Sequence, residues 1–276
     1  MSDLYSSALD RVRNKSNYRP GDYEENGLLM CGRCHTAKQT KRGPSGLSPC
    51  LCACMQEEQR AAEEKAAHEK FAEYMRELER KYGVSEPSFR KHTFSADDRK
   101  NSEASDVCLQ YVQHWDQMLE DGIGLLLYGP VGSGKSFLAY SVVNALLEKR
   151  VPAAATNFPR LLNILQSASD RQRCIDHLQS YKLLVIDDLG VERDSPYAME
   201  QIYNIIDSRS RSNLPLVITT NMDLKDMDSP SSMQLKRTYD RIKGMCQISV
   251  PVIGESRRKE IAEQKVAKAR DLLLKR

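Results

Sequence analysis

The sequence predicts an α/β chain in which a parallel five-stranded sheet carries a glycine-rich loop, preceded by a small cysteine-rich domain and a long charged helix. Three stretches predict it. Leu125-Leu126-Leu127-Tyr128 is a strand-length apolar run that passes into Gly129-Pro130-Val131-Gly132-Ser133-Gly134-Lys135-Ser136, a glycine-rich turn opening a helix. Lys182-Leu183-Leu184-Val185-Ile186-Asp187-Asp188 is a second buried strand, ending in two carboxylates. Cys31, Cys34, Cys50, Cys52 and Cys54 crowd one short region, whereas Cys108, Cys174 and Cys246 are scattered as small buried apolar residues would be.

A length of 276 residues suits one ordinary α/β domain plus something smaller. The expected division is 1–54 for the zinc domain, 55–89 for a helical linker and 90–276 for the sheet domain. The formal charge of +3 is close to balance, so any nucleic-acid contact must use a local basic face. No apolar run reaches membrane-spanning length, and Met1-Ser2-Asp3-Leu4-Tyr5 lacks a signal-peptide core. The expectation is a cytoplasmic protein with no membrane partner.

Residues 1–27 are polar, with room for a short helix from Leu4 to Val12, and are expected to be loosely held. Cys31-Gly32-Arg33-Cys34 has knuckle spacing, in which the glycine permits a turn that aims both thiolates at one ion. A second cysteine group beyond the Gly43-Pro44-Ser45-Gly46 loop can complete a tetrahedral Zn²⁺ site. Five cysteines compete for four positions and His35 is a further candidate, so the ligand set stays open. Clustered thiols without a secretory signal point to metal rather than disulfides.

Met55 to Tyr82 reads as one long helix by its Ala, Glu, Lys and Arg content, with Gly83 as the stop. Phe71, Tyr74, Met75, Leu78 and Tyr82 form an apolar stripe suited to packing on a neighbouring domain. Asp106 to Leu119 is an amphipathic helix ahead of the first sheet strand. The loop helix runs from about Lys135 to Lys149, and Pro152 to Asn157 is the next strand. Helices follow over Phe158 to Ser167, Arg171 to Ser180 and Ser195 to Ser210, the last capped by Ser195. Leu214 to Asn221 and Gln247 to Val252 are the remaining strands, and Glu255 to Arg276 is a basic helical tail. Between those strands, a helix places Arg237 and Arg241 on one face.

The pattern G-x-x-x-x-G-K-S between a strand and a helix is a P-loop. Consecutive N–H groups and the helix N-terminus face phosphate oxygens, Lys135 reaches the β/γ-phosphates, and Ser136 offers its hydroxyl to Mg²⁺. This implies a bound nucleoside triphosphate. Asp187, at the carboxyl end of its strand, helps hold Mg²⁺, and Asp188 orients the attacking water, a Walker B arrangement. Asn221 can orient the same water or touch the γ-phosphate, although Asn is also a common turn former.

Taken in order, the P-loop, the Walker B strand with its second acid, Thr219-Thr220-Asn221, the paired-arginine helix and the terminal Arg257-Arg258 resemble the AAA+ ATPases of the DnaC/IstB group, the replicative-helicase loaders and transposition helpers. The run Leu183 to Gly190 is similar to that group's own Walker B, and the cysteine-rich front followed by a charged helix looks like loader proteins. The resemblance, over about residues 90 to 258, implies that ATP is the nucleotide and Asn221 is sensor 1. It implies an arginine finger at Arg241, with Arg237 second, acting on a neighbouring subunit's γ-phosphate, and a sensor 2 at Arg258, with Arg257 second. It also implies single-stranded DNA contacts at Ser195 and Tyr197, self-association through the ATP site, and a replicative hexameric helicase as partner. Asp188 departs from the glutamate usual in AAA+ proteins, which implies slow hydrolysis. A transposition helper acting on duplex DNA, a P-loop small-molecule kinase and a non-hydrolysing nucleotide-gated adaptor are the competing readings.

Overall fold

A computed structural model describes residues 18–42, 46–190, 195–230, 232–254 and 256, with scattered positions from 263 to 273. The chain divides into two compact units, Met1–Glu73 and Tyr74–Arg276. No described helix is long and apolar enough to cross a membrane.

The first unit holds two short antiparallel hairpins. Strands β1 (Tyr23–Glu25) and β2 (Leu28–Met30) are joined by Asn26-Gly27, both at positive φ. This is the two-residue turn whose twist matches a hairpin. Residues 23–27, part of the stretch expected to be loosely held, belong to this hairpin. Strands β3 (Gln39–Arg42) and β4 (Gly46–Pro49) pair next. Helix α1 (Ala53–Tyr82) then begins as a single 30-residue element. A buried ion pair joins Lys38 to Asp22, whose carboxylate also accepts from the Arg19 and Gly32 amides at 2.8 and 3.1 Å.

In the second unit the last turns of α1 lead through 87–91 to α2 (Ser102–Gln113) and α3 (Trp115–Asp121). The single helix expected over 106–119 is thus two, starting earlier and breaking at His114, whose ring Nδ1 is hydrogen-bonded with Gln110 O at 3.0 Å. The sheet follows as β5 (Leu125–Tyr128), β6 (Ala153–Asn157), β7 (Leu183–Leu189), β8 (Leu216–Thr220) and β9 (Ile248–Pro251), all parallel in the order β6-β7-β8-β5-β9. Its crossover helices are α4 (Lys135–Glu148), α5 (Phe158–Ser167), α6 (Arg171–His177), α7 (Pro196–Arg211), α8 (Leu224–Asp228) and α9 (Met233–Met245).

Period-two alternation sorts each strand between two cores. Leu126, Ala154, Leu184, Ile186 and Ile218 face the side packed by α5, α6, α7 and α9. Leu125, Leu127, Ala153, Ala155, Val185 and Val217 face the side packed by α2, α3 and α4. Near-continuous apolar runs are what a parallel sheet covered on both faces requires. Met75, Leu78 and Tyr82 of α1 pack on the first of these cores, whereas Tyr74 stays 42% exposed.

The second unit also buries charged side chains, Arg209 most completely among the described residues. Arg209, near the end of α7, is 0% exposed and donates to the carbonyls of Leu178, Tyr181, Lys182 and Pro215 at 2.7 to 3.3 Å. Burial lowers its guanidinium to about 9, which still leaves it charged at neutral pH.

Candidate nucleotide site and metal centre

The P-loop spans residues 129–134 between β5 and α4. Gly132 has φ +83°, and a Cβ there would lie 2.3 Å from Ser256 Oγ, so the loop closes only around glycine. Lys135 is buried, and its ammonium donates to the carbonyls of Gly129 (2.9 Å) and Pro130 (2.7 Å), which aims it along the loop. Ser136 is half-buried one residue on. The Ser133 hydroxyl is buried with no hydrogen-bond partner, while its carbonyl accepts from Asn101 Nδ2 at 2.9 Å. An orphaned donor in a glycine cradle, beside a lysine at a helix N-terminus, fits a phosphate oxygen.

The neighbouring strands bring acid and amide to the same sheet edge. Asp187, in β7, is buried with Oδ1 accepting from Thr219 Oγ1 (2.5 Å) and Oδ2 from Tyr140 OH (2.7 Å). Burial, then the adjacent Asp187 charge, raises the Tyr140 phenol, so it is a donor at neutral pH. Asp188 has φ +58° at a β-bulge between Ile186 and Leu189, and its N–H donates to Thr219 Oγ1 at 2.9 Å. The bulge turns the second carboxylate off the strand's alternation. Asn221 is the exposed residue just past β8, and Thr220 before it pairs with Tyr128. Lys135, Ser136, Asp187, Asp188 and Asn221 therefore stand at the carboxyl ends of three adjacent strands, where open α/β sheets take ligands. Ser136 and Asp187 fit a divalent cation by donor type, an oxygen pair suited to Mg²⁺.

Arg241 points elsewhere. On α9 it faces α7, with Nη2 2.6 Å from Asp207 Oδ1 and 3.1 Å from the Tyr203 hydroxyl. Its guanidinium lies 5.4 Å from the Tyr203 ring centre, and Asp207 also pairs with Arg211. Arg237 is exposed. Ser195 caps α7 by accepting from Ala198 N at 3.2 Å, and Arg171 lies 5.5 Å from the Tyr197 ring centre. Arg257 and Arg258 lie outside the described residues.

In the first unit the sulfurs of Cys31, Cys34, Cys52 and Cys54 converge within 4.8 Å of one another. The Cys31–Cys54 and Cys52–Cys54 separations are 3.6 and 3.4 Å. A tetrahedral ion with Zn–S bonds of about 2.3 Å places its sulfurs about 3.8 Å apart, so this set fits zinc. Of the five cysteines left open as candidates, Cys50 lies outside the cluster, its Sγ facing Ala37 O at 3.5 Å. His35 is also outside it, with Nδ1 hydrogen-bonded with Tyr23 OH at 3.1 Å. A Cβ on Gly32 would meet Gly21 O at 2.0 Å, which is why the knuckle needs glycine there. The Cys34 thiol is lowered, foremost by the Thr36 hydroxyl, while Cys54 is raised by its hydrogen bond with Cys52 and then by burial. Four thiolates this close together repel one another, and a cation among them removes that repulsion.

Sequence reasoning missed Tyr140, Thr219, Asn101 and Asp207. Tyr140 was findable, because it lies four residues after Ser136 and so on the same helix face. Asn101 and Asp207 act across elements that only the fold brings together.

Residues 47–265 match the family model described as IstB-like ATP binding protein. Replicative helicase loader DnaC of Escherichia coli K12 is 27% identical over 139 residues, 49% of this chain and 54% of that protein. A Bacillus thuringiensis protein, named provisionally as the ATP-binding protein of insertion sequence IS232, is 30% identical over 115 residues, 41% of this chain and 46% of its own. The chain thus spans about half the length of these curated relatives. The crystal structure of DnaI aligns with TM-score 0.52 and 23% identity, covering 62% of this chain and 93% of that one, a likeness of fold.

Proposed function

The chain belongs to the IstB-like ATP binding protein family, and from that premise we propose that it is an ATP-dependent loader of a replicative hexameric helicase onto single-stranded DNA. The observation that carries the loader reading is the zinc-type cysteine cluster ahead of a P-loop ATPase domain. In this reading the zinc-bearing unit grips the helicase and the sheet domain binds ATP and single-stranded DNA in the cytoplasm. Ser195 and Tyr197 contact the strand, Tyr197 by stacking on a base beside Arg171.

Each site residue then has a task. The P-loop amides and the Ser133 hydroxyl take phosphate oxygens, and Lys135 leaves its loop carbonyls for the β/γ-phosphates. Ser136 and Asp187 would hold Mg²⁺, which supplies charge neutralisation on the phosphates. Asp188 orients the attacking water, and Asn221 holds its far side. Arg241 reaches the γ-phosphate of a neighbouring copy, so ATP bound between subunits orders an assembly and hydrolysis releases it. Arg258 is assigned to the same nucleotide from the chain's own side.

The test is ATP turnover without DNA, with single-stranded DNA and with duplex, for wild type, Lys135→Ala and Arg241→Ala. Modulation by single strands and a loss of at least about a hundredfold in both variants is the expected outcome. Stimulation by duplex alone would favour the transposition helper, a reading supported by the insertion-sequence relative. Indifference to DNA with a fully active Arg241→Ala would end the assembly model.

A further inference from the structure

The residues that place Asp187 have no part in the reading above: they are two hydroxyls, one from α4 and one from β8. We infer that Tyr140 and Thr219 are positioning residues that clamp the Asp187 carboxylate so that its remaining lone pairs face the metal accompanying ATP. The inference rests on the ATPase reading and adds to it the groups that set the metal's geometry.

An ionised carboxylate only accepts hydrogen bonds, with about four lone-pair sites on its two oxygens. Tyr140 OH occupies one site on Oδ2 at 2.7 Å, and Thr219 Oγ1 one on Oδ1 at 2.5 Å. With a donor on each oxygen, the carboxylate plane cannot rotate without breaking both bonds. One oxygen site on each side stays available for a cation or its water.

The clamp also ties together parts that must keep a fixed separation. Tyr140 lies four residues after Ser136 on α4, so one helix face carries both the hydroxyl offered to the metal and the hydroxyl that holds the carboxylate. Thr219 uses its donor on Asp187 and accepts from the Asp188 N–H at 2.9 Å, so one side chain holds both acids of the bulge. The Tyr140 ring is itself held, with the His92 ring 5.5 Å away and the His92 carbonyl fixed by Asn144 Nδ2 at 2.5 Å.

A merely structural pair of hydroxyls would leave metal binding untouched, and that separates the two roles. The experiment uses the full chain as wild type, Tyr140→Phe, Thr219→Val and Thr219→Ser. Each binds a fluorescent ATP analogue in EDTA and along a Mg²⁺ titration, and turnover is followed against Mg²⁺. Tyr140→Phe and Thr219→Val should need about tenfold more Mg²⁺ or higher, the usual consequence of removing a group that orients a metal-binding side chain. Their nucleotide binding in EDTA should stay within about twofold of wild type, which also reports an intact fold, and Thr219→Ser should restore the Mg²⁺ requirement. Superimposable Mg²⁺ curves for wild type, Tyr140→Phe and Thr219→Val overturn the clamp while leaving the ATPase reading standing. Equal losses with and without Mg²⁺ overturn it too, because the hydroxyls would then serve the fold alone. A wild type whose nucleotide binding and turnover ignore Mg²⁺ overturns the ATPase reading, and the clamp with it. Should Tyr140→Phe fail to fold, the Thr219→Val and Thr219→Ser pair decides by the same readout.

Discussion

Cys50 and Cys52 are two positions apart in the chain and face different surroundings. The Cys50 amide donates to Lys38 O at 2.8 Å and its sulfur turns to Ala37 O, whereas Cys52 is buried among the other three thiols. Cys52→Ser should therefore abolish stoichiometric zinc in purified protein, while Cys50→Ser should retain it. Metal analysis decides, and zinc lost from Cys50→Ser alone would sink the four-thiol site. The sequence could point to a metal site in this cluster but not to which four sulfurs would form it. Cys-x-Cys-x-Cys spacing offers equivalent choices until the β3–β4 hairpin and the start of α1 fix where each side chain points. The P-loop and Walker B residues were legible because their spacing is the chemistry itself. Of their supports, Tyr140 was within reach by its helix spacing from Ser136, but Thr219 and Asn101 were not, since each reaches its partner through a contact across elements.

At the scale of elements, the end of α1 shows how an apolar stripe becomes part of a core. Periodicity marked Met75, Leu78 and Tyr82, and all three pack on the core of the second unit. The same stripe could not reveal His177, which receives that helix end. Its Nε2 lies 3.2 Å from Leu78 O, and its ring meets Tyr82 and Tyr181 edge-on at 4.9 and 5.9 Å. Burial lowers the His177 pKa, Lys81 adds to the lowering, and the Leu78 carbonyl and Glu79 oppose it. A base depressed in the folded state binds fewer protons than in the unfolded state, so stability falls as pH drops through the unfolded value of about 6.5. The protection factors of the amides across residues 74–82, each rate being divided into the intrinsic rate at that pH, should fall between pH 7.5 and 5.5 in wild type, and the fall should shrink in His177→Gln. An equal fall in both would show that other groups drive it.

For the whole molecule, the P-loop, the alternation of helices and apolar strands, and the five-stranded parallel sheet were all readable. The strand order β6-β7-β8-β5-β9 was not, because order is settled by which edges the crossover helices can cover, not by any strand's own pattern. The same limit hid the pairing of α9 with α7, and with it the position of Arg241 on Asp207. If Arg241 serves a neighbouring copy, assembly must exchange one anionic partner for another. The partly exposed pair is worth about 0.5–1 kcal/mol, so Asp207→Asn should tighten ATP-dependent self-association by about two- to fivefold. Sedimentation with a non-hydrolysable ATP analogue measures this, with a thermal melt to check that the buried change leaves the fold intact. Association no tighter than wild type in a folded variant would remove the competition.

Arg209 carries a consequence for how the sheet domain comes together. Its acceptors precede two different strands: Leu178, Tyr181 and Lys182 run into β7, and Pro215 runs into β8. In water the guanidinium is well hydrated, and a half-built core that buried it against one set of carbonyls would strip that hydration without replacing it. Intermediates with one strand docked and the other absent are thus disfavoured by a single side chain. The start of β7, the start of β8 and the last turn of α7 are thereby coupled through one guanidinium.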